Sequence, residues 1–257
     1  MFLRYLILFI TVPVIFNSCT KKPGEEEEIE LQCNAIKAVV LTTNGPVMIG
    51  DELHVDATEV GGYRIYHWSG PNLFQSQDPK NSMTANMAME GWYYLALSNP
   101  DCETKNDSIY VDVKLKPGTA PCTVTNNTAI YSNLGNDNFT SVTKSTDAST
   151  SLLKLRGSGS GAELQVFFHP HWRTNEPEDG MYKTTNNPLL STNDGNFNKV
   201  FISTVKSSIY WSCHDFQDVY VSHVNGKLRV QFCSLTLSGT NGANSFTTLV
   251  STQMTQN

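Results

Sequence analysis

Val219-Tyr220-Val221-Ser222-His223-Val224-Asn225-Gly226-Lys227-Leu228-Arg229-Val230-Gln231-Phe232 decides the fold class. A two-residue Asn-Gly loop requires positive φ at both positions and fixes the register of the hairpin that it closes. Counting outward, Val224 faces Lys227, His223 faces Leu228, Val221 faces Val230 and Val219 faces Phe232. Apart from His223 and Lys227 beside the turn, these residues are apolar, so register and hydrophobic pattern agree. Tyr220, Ser222, Arg229 and Gln231 take the other face, which is wet or partly covered. Extending the ladder sets Cys233 opposite Asp218 and Cys213 opposite Ser238.

The same short alternating runs, bounded by turn residues, recur on both sides of this hairpin and predict antiparallel β-structure. Upstream they are Ala38–Leu41, Leu53–Ala57, Tyr63–Trp68, Glu90–Leu97 and Ser108–Lys114. Only Met83 to Glu90 reads as a helical turn. Downstream they are Leu164–His169, Gly180–Lys183, Lys199–Val205 and Ser208–Cys213. Lys116-Pro117-Gly118-Thr119-Ala120-Pro121 follows a strand end with two prolines and a glycine, which marks a boundary. The expected fold is all-β, two β-sandwich domains in tandem: residues 31–116, a linker at 117–121, and residues 122–257.

The N-terminus fixes the compartment. Arg4 precedes an apolar run from Tyr5 to Phe16, too short for a membrane span, which reads as a cleavable signal over residues 1–18. Ser18-Cys19 resembles the lipobox of bacterial lipoproteins, and that resemblance implies acylation of Cys19; an ordinary secretory signal shares the apolar run and the small residue. Glu25 to Glu28 then resemble the acidic export cluster of Bacteroidota-type surface lipoproteins, implying an outer-membrane, surface-exposed protein. Residues 19–30 are charged and aperiodic, and are expected to form a solvated tether. The formal net charge is −6 and becomes −7 when Arg4 is removed. That balance disfavours nucleic acid, whose binding rests on Lys and Arg neutralising phosphates.

Tyr66-x-Trp68-x-Gly70-Pro71 with Phe74, Gly91-x-Tyr93-x-Leu95 and the closing strand Ser108–Lys114 resemble the immunoglobulin-like and PKD-like sandwiches of bacterial surface proteins. The resemblance implies that Trp68 is the buried tryptophan of a central strand and that Tyr93 holds the tyrosine-corner position. Leu95 stands where that family places its second inter-sheet cysteine. Further on, Gly180-x-Tyr182, Val219-Tyr220-Val221, Gly226-Lys227 and Val230-x-Phe232-Cys233 resemble the uncharacterised β-sandwich domains of Bacteroidota-type lipoproteins. This second resemblance implies shape more than chemistry.

An exported compartment permits disulfides. With Cys19 acylated, Cys33, Cys102, Cys122, Cys213 and Cys233 remain, an odd set. Cys33 and Cys102 lie near strand ends of the first unit and are expected to pair. Cys122 is the expected partner of Cys233, because a Cys213–Cys233 bridge would break the ladder. Cys213 is left as a buried thiol beside Ile209 and Trp211, with His214 directed to the opposite face.

Residues that carry chemistry do not converge in sequence. His169-Pro170-His171 has metal-ligand spacing, but a proline at a strand end and no third ligand, so no metal is expected. Asn175-Glu176-Pro177-Glu178-Asp179-Gly180, Asn193–Asn196 and Asn133–Asn138 read as turns. Gly157-Ser158-Gly159-Ser160-Gly161 precedes a strand rather than a helix, and reads as a flexible connection rather than a phosphate loop. No catalytic residues, enzyme activity or cofactor are expected; a glycosidase carboxylate pair formed only in space stays open. Exposed aromatics are the binding candidates: Trp92 with Tyr94, which alternate outward on one strand, and Trp172 and Tyr182. Trp92 and Tyr94 form a platform, or pack against the second unit or under a loop. The expected function is a cell-envelope lipoprotein, anchored in the membrane by lipid, that binds a glycan, peptide or protein. The alternative is a structural or accessory subunit of an envelope assembly, and a hydrolase comes last.

Overall fold

The computed structural model describes residues 24–59, 64–169, 176–190 and 196–257. Cys19 with its signal, Pro170, His171, Trp172 and Asn193–Gly195 lie outside the described residues.

The chain is all-β apart from α1 (Glu25–Lys37) and short 3-10 turns at Met87–Met89 and Asn196–Asn198. The helix corrects the expected tether and runs through the boundary placed at residue 30. Carboxylates in its first turn, Glu26 to Glu28 among them, are favoured by the helix dipole. Its last turn buries Ile36, and Cys33 is bridged to Cys102, which fixes the helix against the sheet. Lys105 Nζ donates to the carbonyls of Lys37, the last helical residue, and Val39 just beyond it. Ala38 is the C-cap of α1, so the strand expected at Ala38–Leu41 begins only at Leu41.

The N-terminal strands are β1 (Leu41–Thr43), β2 (Val47–Met48), β3 (Glu52–Ala57), β4 (Ile65–Ser69), β5 (Gln75–Ser76), β6 (Lys80–Thr84), β7 (Gly91–Asn99), β8 (Cys102–Val111) and β9 (Val113–Lys114). They form a three-stranded sheet β1-β3-β6 and a four-stranded sheet β5-β4-β7-β8, with β2 and β9 paired in parallel. Alternation buries Leu53, Val55 and Ala57 from the first sheet and Tyr66, Trp68, Tyr93, Leu95 and Leu97 from the second. The Trp68 indole N–H donates to the Asp78 carbonyl at 3.0 Å, so its polar end is satisfied inside the core. Gly70 lies under Tyr93: a Cβ there would meet the ring at 2.7 Å.

The C-terminal strands are β10 (Thr128–Tyr131), β11 (Gly135–Thr146), β12 (Leu153–Gly159), β13 (Ala162–Phe168), β14 (Gly180–Thr184), β15 (Lys199–Lys206), β16 (Ile209–Cys213), β17 (Asp218–Val224), β18 (Lys227–Asn241) and β19 (Asn244–Thr255). The expected two layers are joined along both edges. Starting at β13, the hydrogen-bonded order runs β12, β11, β10, β19, β18, β16 and β15, and β15 pairs back with β13. Closure of this kind removes the sheet edges. β14 and β17 pair with each other, and they join β15 and the first half of β18, respectively.

The β17–β18 hairpin has the register read from the sequence, from Val224↔Lys227 to Tyr220↔Gln231, with φ of 54° at Asn225 and 75° at Gly226. A bulge between Phe232 and Leu235 then shifts β18. Cys213 faces Leu237 rather than Ser238, because the chain leaves strand between Cys213 and Asp218 and there spends one residue more than β18 does. The disulfide Cys122–Cys233 forms at this bulge. Gly157–Gly159 belongs to β12 and is not a flexible connection. A Cβ on Gly157 would come within 2.7 Å of Met254 Sδ, so the glycine is there for close packing.

Residues 116–122 are packed rather than free. Met181 N–H donates to the Lys116 carbonyl at 2.9 Å, Gly118 lies beside the Tyr220 ring, and Gln231 donates to the Cys122 carbonyl at 2.7 Å. This segment covers part of the polar face of the hairpin.

Candidate functional site

The outer face of the four-stranded sheet is set by residues that stand directly opposite one another and so share a side. Trp92 faces Tyr110; Tyr94 lies between Ser69 and Ser108; Ala96 lies between His67 and Asn106; Gln75 continues the row beyond Ser69. Trp92 and Tyr94 are 51% and 54% exposed, so among the described residues neither the other sheets nor a loop covers them.

The rings are held rather than loose. Trp92 meets Tyr110 edge-on, with ring centroids 5.4 Å apart and planes at 73°. The Tyr110 hydroxyl donates to the buried Glu90 carboxylate at 2.6 Å. On the opposite side of β7, Tyr93 is buried against Phe74, 5.1 Å between centroids, and its hydroxyl donates to the Met89 carbonyl at 3.1 Å. Burial pushes the Tyr93 phenol up to about 12. Gly91 keeps φ at 143° where a side chain would meet Pro71. At the β4–β5 edge, next to Ser69 which stands opposite Tyr94, a hollow of about 380 Å³ is lined by His67, Trp68, Ser69, Gln75, Ser76 and Gln77.

The remaining sequence candidates separate. Tyr182 is 3% exposed and packs edge-on against Phe168, which corrects its reading as a surface ring. It sits on the strand face turned to the core, and burial raises its phenol well above the ordinary range. Its hydroxyl donates to the Glu178 carbonyl at 3.2 Å. Cys33 and Cys102 are bridged, as are Cys122 and Cys233. Cys213 is the buried free thiol, donating to the Thr185 carbonyl at 3.1 Å; burial pushes it up to about 11, away from the reactive thiolate. His214 turns away to Ser238, at 2.5 Å.

Two clusters were not visible in the sequence. The acidic turn meets His223 and basic residues from distant strands. His223 Nδ1 lies 2.6 Å from Asp179, Lys144 pairs with Glu176, and Lys114 lies 3.6 Å from Glu178. Lys114 is held above the ordinary ammonium range chiefly by its hydrogen bond to Asp112, with Glu178 adding to the effect. Inside the closed sheet, Lys206 and Asp137 form a buried ion pair at 2.7 Å, with Lys206 4.6 Å from the centroid of the Tyr131 ring. Neither arrangement was legible, because the partners are tens of residues apart. Among the described residues no His, Cys, Asp and Glu side chains group as a metal site, and no helix is long and apolar enough to cross a membrane.

No family model and no curated protein sequence matches the chain. Among solved structures, one similar chain belongs to the crystal structure of mouse coronavirus receptor-binding domain complexed with its murine receptor. It shares 11% identity over 85% of this chain and 96% of that one, at a TM-score of 0.27. Superposition that loose bears on neither fold nor function.

Proposed function

We propose that the protein is a cell-envelope lipoprotein, anchored in the outer membrane through acylated Cys19 and exposed at the cell surface, that works as an extracellular binding or adhesion module. Its N-terminal part is immunoglobulin-like. Support comes from the opposed sheets β1-β3-β6 and β5-β4-β7-β8, the buried Trp68, and a Tyr93 hydroxyl bonded back to the backbone at Met89. The ligand is a glycan, peptide or protein held on the outer face of the four-stranded sheet. We assign no reaction to the chain.

The observation that carries this reading is the uncovered pair Trp92 and Tyr94, beside a hollow lined by polar side chains. Large aromatics are ordinarily covered in a soluble fold, and rigid exposed rings bordered by hydrogen-bonding groups are the usual anchors of recognition. The test is a panel of immobilised glycans, peptides and surface proteins probed with the protein and its Trp92→Ala/Tyr94→Ala variant. We expect a ligand that the variant loses while its melting temperature stays unchanged. Binding that survives loss of both rings would refute the assignment, as would failure of the intact protein to bind anything. Anchoring is checked by metabolic labelling with palmitate: the Cys19→Ala variant loses the label, and unchanged labelling would contradict the anchor.

A further inference from the structure

We infer that the ligand of the Trp92–Tyr94 face is a neutral oligosaccharide; this rests on that face being the binding surface. Reading across the rows, the outward residues are Trp92 and Tyr110, then Gln75, Ser69, Tyr94 and Ser108, then His67, Ala96 and Asn106. None of them is a carboxylate, an ammonium or a guanidinium. The charges of β8 stand at the alternate positions Glu103, Lys105 and Asp107, and Lys105 is turned to the end of α1. Glu90, beside Tyr110, is 5% exposed and accepts the Tyr110 hydroxyl.

Each ligand class needs something different from such a surface. Sulfated or uronic-acid chains and phosphate groups are held by Arg and Lys forks, and the face has none. A basic peptide needs surface carboxylates, also missing from these rows. A protein partner needs a broad apolar centre, commonly with Arg among its anchors. Here the two exposed rings give way at once to Ser, Asn, Gln and Ala.

A pyranose ring presents apolar C–H faces and a rim of uncharged hydroxyls. The first stacks on an aromatic ring, and the second pairs with groups that both donate and accept: Ser hydroxyls, Gln and Asn amides and an imidazole. Trp92 and Tyr94 are two residues apart on one strand, so their attachment points repeat about 7 Å along it. That gives a chain ligand two successive stacking positions. The hollow at the β4–β5 edge, which begins at Ser69 opposite Tyr94, supplies the hydroxyl partners at one end, through His67, Ser69, Gln75 and Gln77.

The experiment uses the full chain on an array of neutral oligosaccharides (gluco-, xylo-, manno- and chito-configured) printed beside sulfated and uronic-acid chains. Positives are measured by calorimetry at low and high salt. We expect binding confined to neutral chains and insensitive to salt. It should weaken about tenfold or more in Trp92→Ala and in Tyr94→Ala, several-fold in Gln75→Ala, and not at all in Tyr210→Ala, an exposed ring on the C-terminal sheet. Binding of anionic chains only, falling with salt, would overturn the inference. If binding to a peptide or protein is lost in Trp92→Ala while every neutral glycan is refused, the neutral-glycan inference fails and the binding face stands. Neutral glycans bound equally by the wild type and the ring variants would overturn both.

Discussion

The outer face of β5-β4-β7-β8 and the hairpin β17–β18 start from the same pattern, alternating strands with aromatics turned away from the core, and end differently. On the hairpin, the outward Tyr220 lies against Gly118 in the segment that joins the two halves, and Gln231 is bonded to Cys122. On the N-terminal sheet, Trp92 meets Tyr110 edge-on, and Trp92 and Tyr94 both stay half-exposed. The C-terminal sheet also closes its edges by pairing β15 with β13, whereas β5 and β6 remain edge strands among the described residues. The N-terminal sheet leaves two neighbouring rings of one strand open, whereas the exposed rings of the C-terminal half, Tyr210, Phe216 and Phe246, stand on separate elements. The proposed recognition surface is the N-terminal sheet, where the open rings are adjacent.

That contrast makes substitutions unequal. The largest losses are expected inside the closed sheet. Trp211 is 1% exposed, and Trp211→Ala should cost about 3–5 kcal/mol in denaturant unfolding. Lys206→Ala strands the Asp137 carboxylate in the interior, at a similar cost of about 3–5 kcal/mol. Replacing both partners, as Lys206→Met with Asp137→Leu, should recover most of it; a double variant as unstable as the single would contradict the ion-pair account. Gly70→Ala is expected to cost about 1–3 kcal/mol, because its methyl must displace the Tyr93 ring under the binding face.

Alkaline titration gives a smaller, graded effect. Tyr93 and Tyr131 are each raised by burial from 10.0 to about 12, so the folded state holds protons that the unfolded chain releases more readily. Their contribution is complete below pH 10 and is lost as pH rises through the interval to about 12. Unfolding curves that stay flat across that interval would contradict it. Smallest of all, Trp92→Ala and Tyr94→Ala should change stability by no more than about 0.5 kcal/mol, because half-exposed rings contribute little to the core.

Local chemistry was readable where it decided local structure. Asn225-Gly226 specified a turn and through it the first rungs of the β17–β18 ladder. The strands around Trp68 and Tyr93 were placed by alternation, with Gly70 and Gly91 where Tyr93 and Pro71 crowd the backbone. The readings that failed depended on distant partners. Helix α1 has a weak apolar stripe and is held by the bridge from Cys33 to Cys102 and the burial of Ile36, neither visible in its own residues. Gly157–Gly159 has loop composition, yet it lies in β12 because Met254 and Phe139 close over it. The run Gly180–Lys183 does not itself say which of its sides is covered, and Tyr182 is buried once β14 is set between β15 and β17. The exposure of Trp92 and Tyr94 was left open for the same reason, since alternation says which side a ring takes and not whether anything covers it.

The central claim is that Trp92 touches the ligand, and iodide quenching of tryptophan fluorescence tests it directly. In a Trp172→Phe variant the other tryptophans are Trp68 and Trp211, 3% and 1% exposed, so quenching reports on Trp92. Adding a saturating neutral oligosaccharide from the array should protect that emission, leaving the quenched fraction close to that of a Trp92→Phe control. Binding that leaves Trp92 as open to iodide as before would contradict the account.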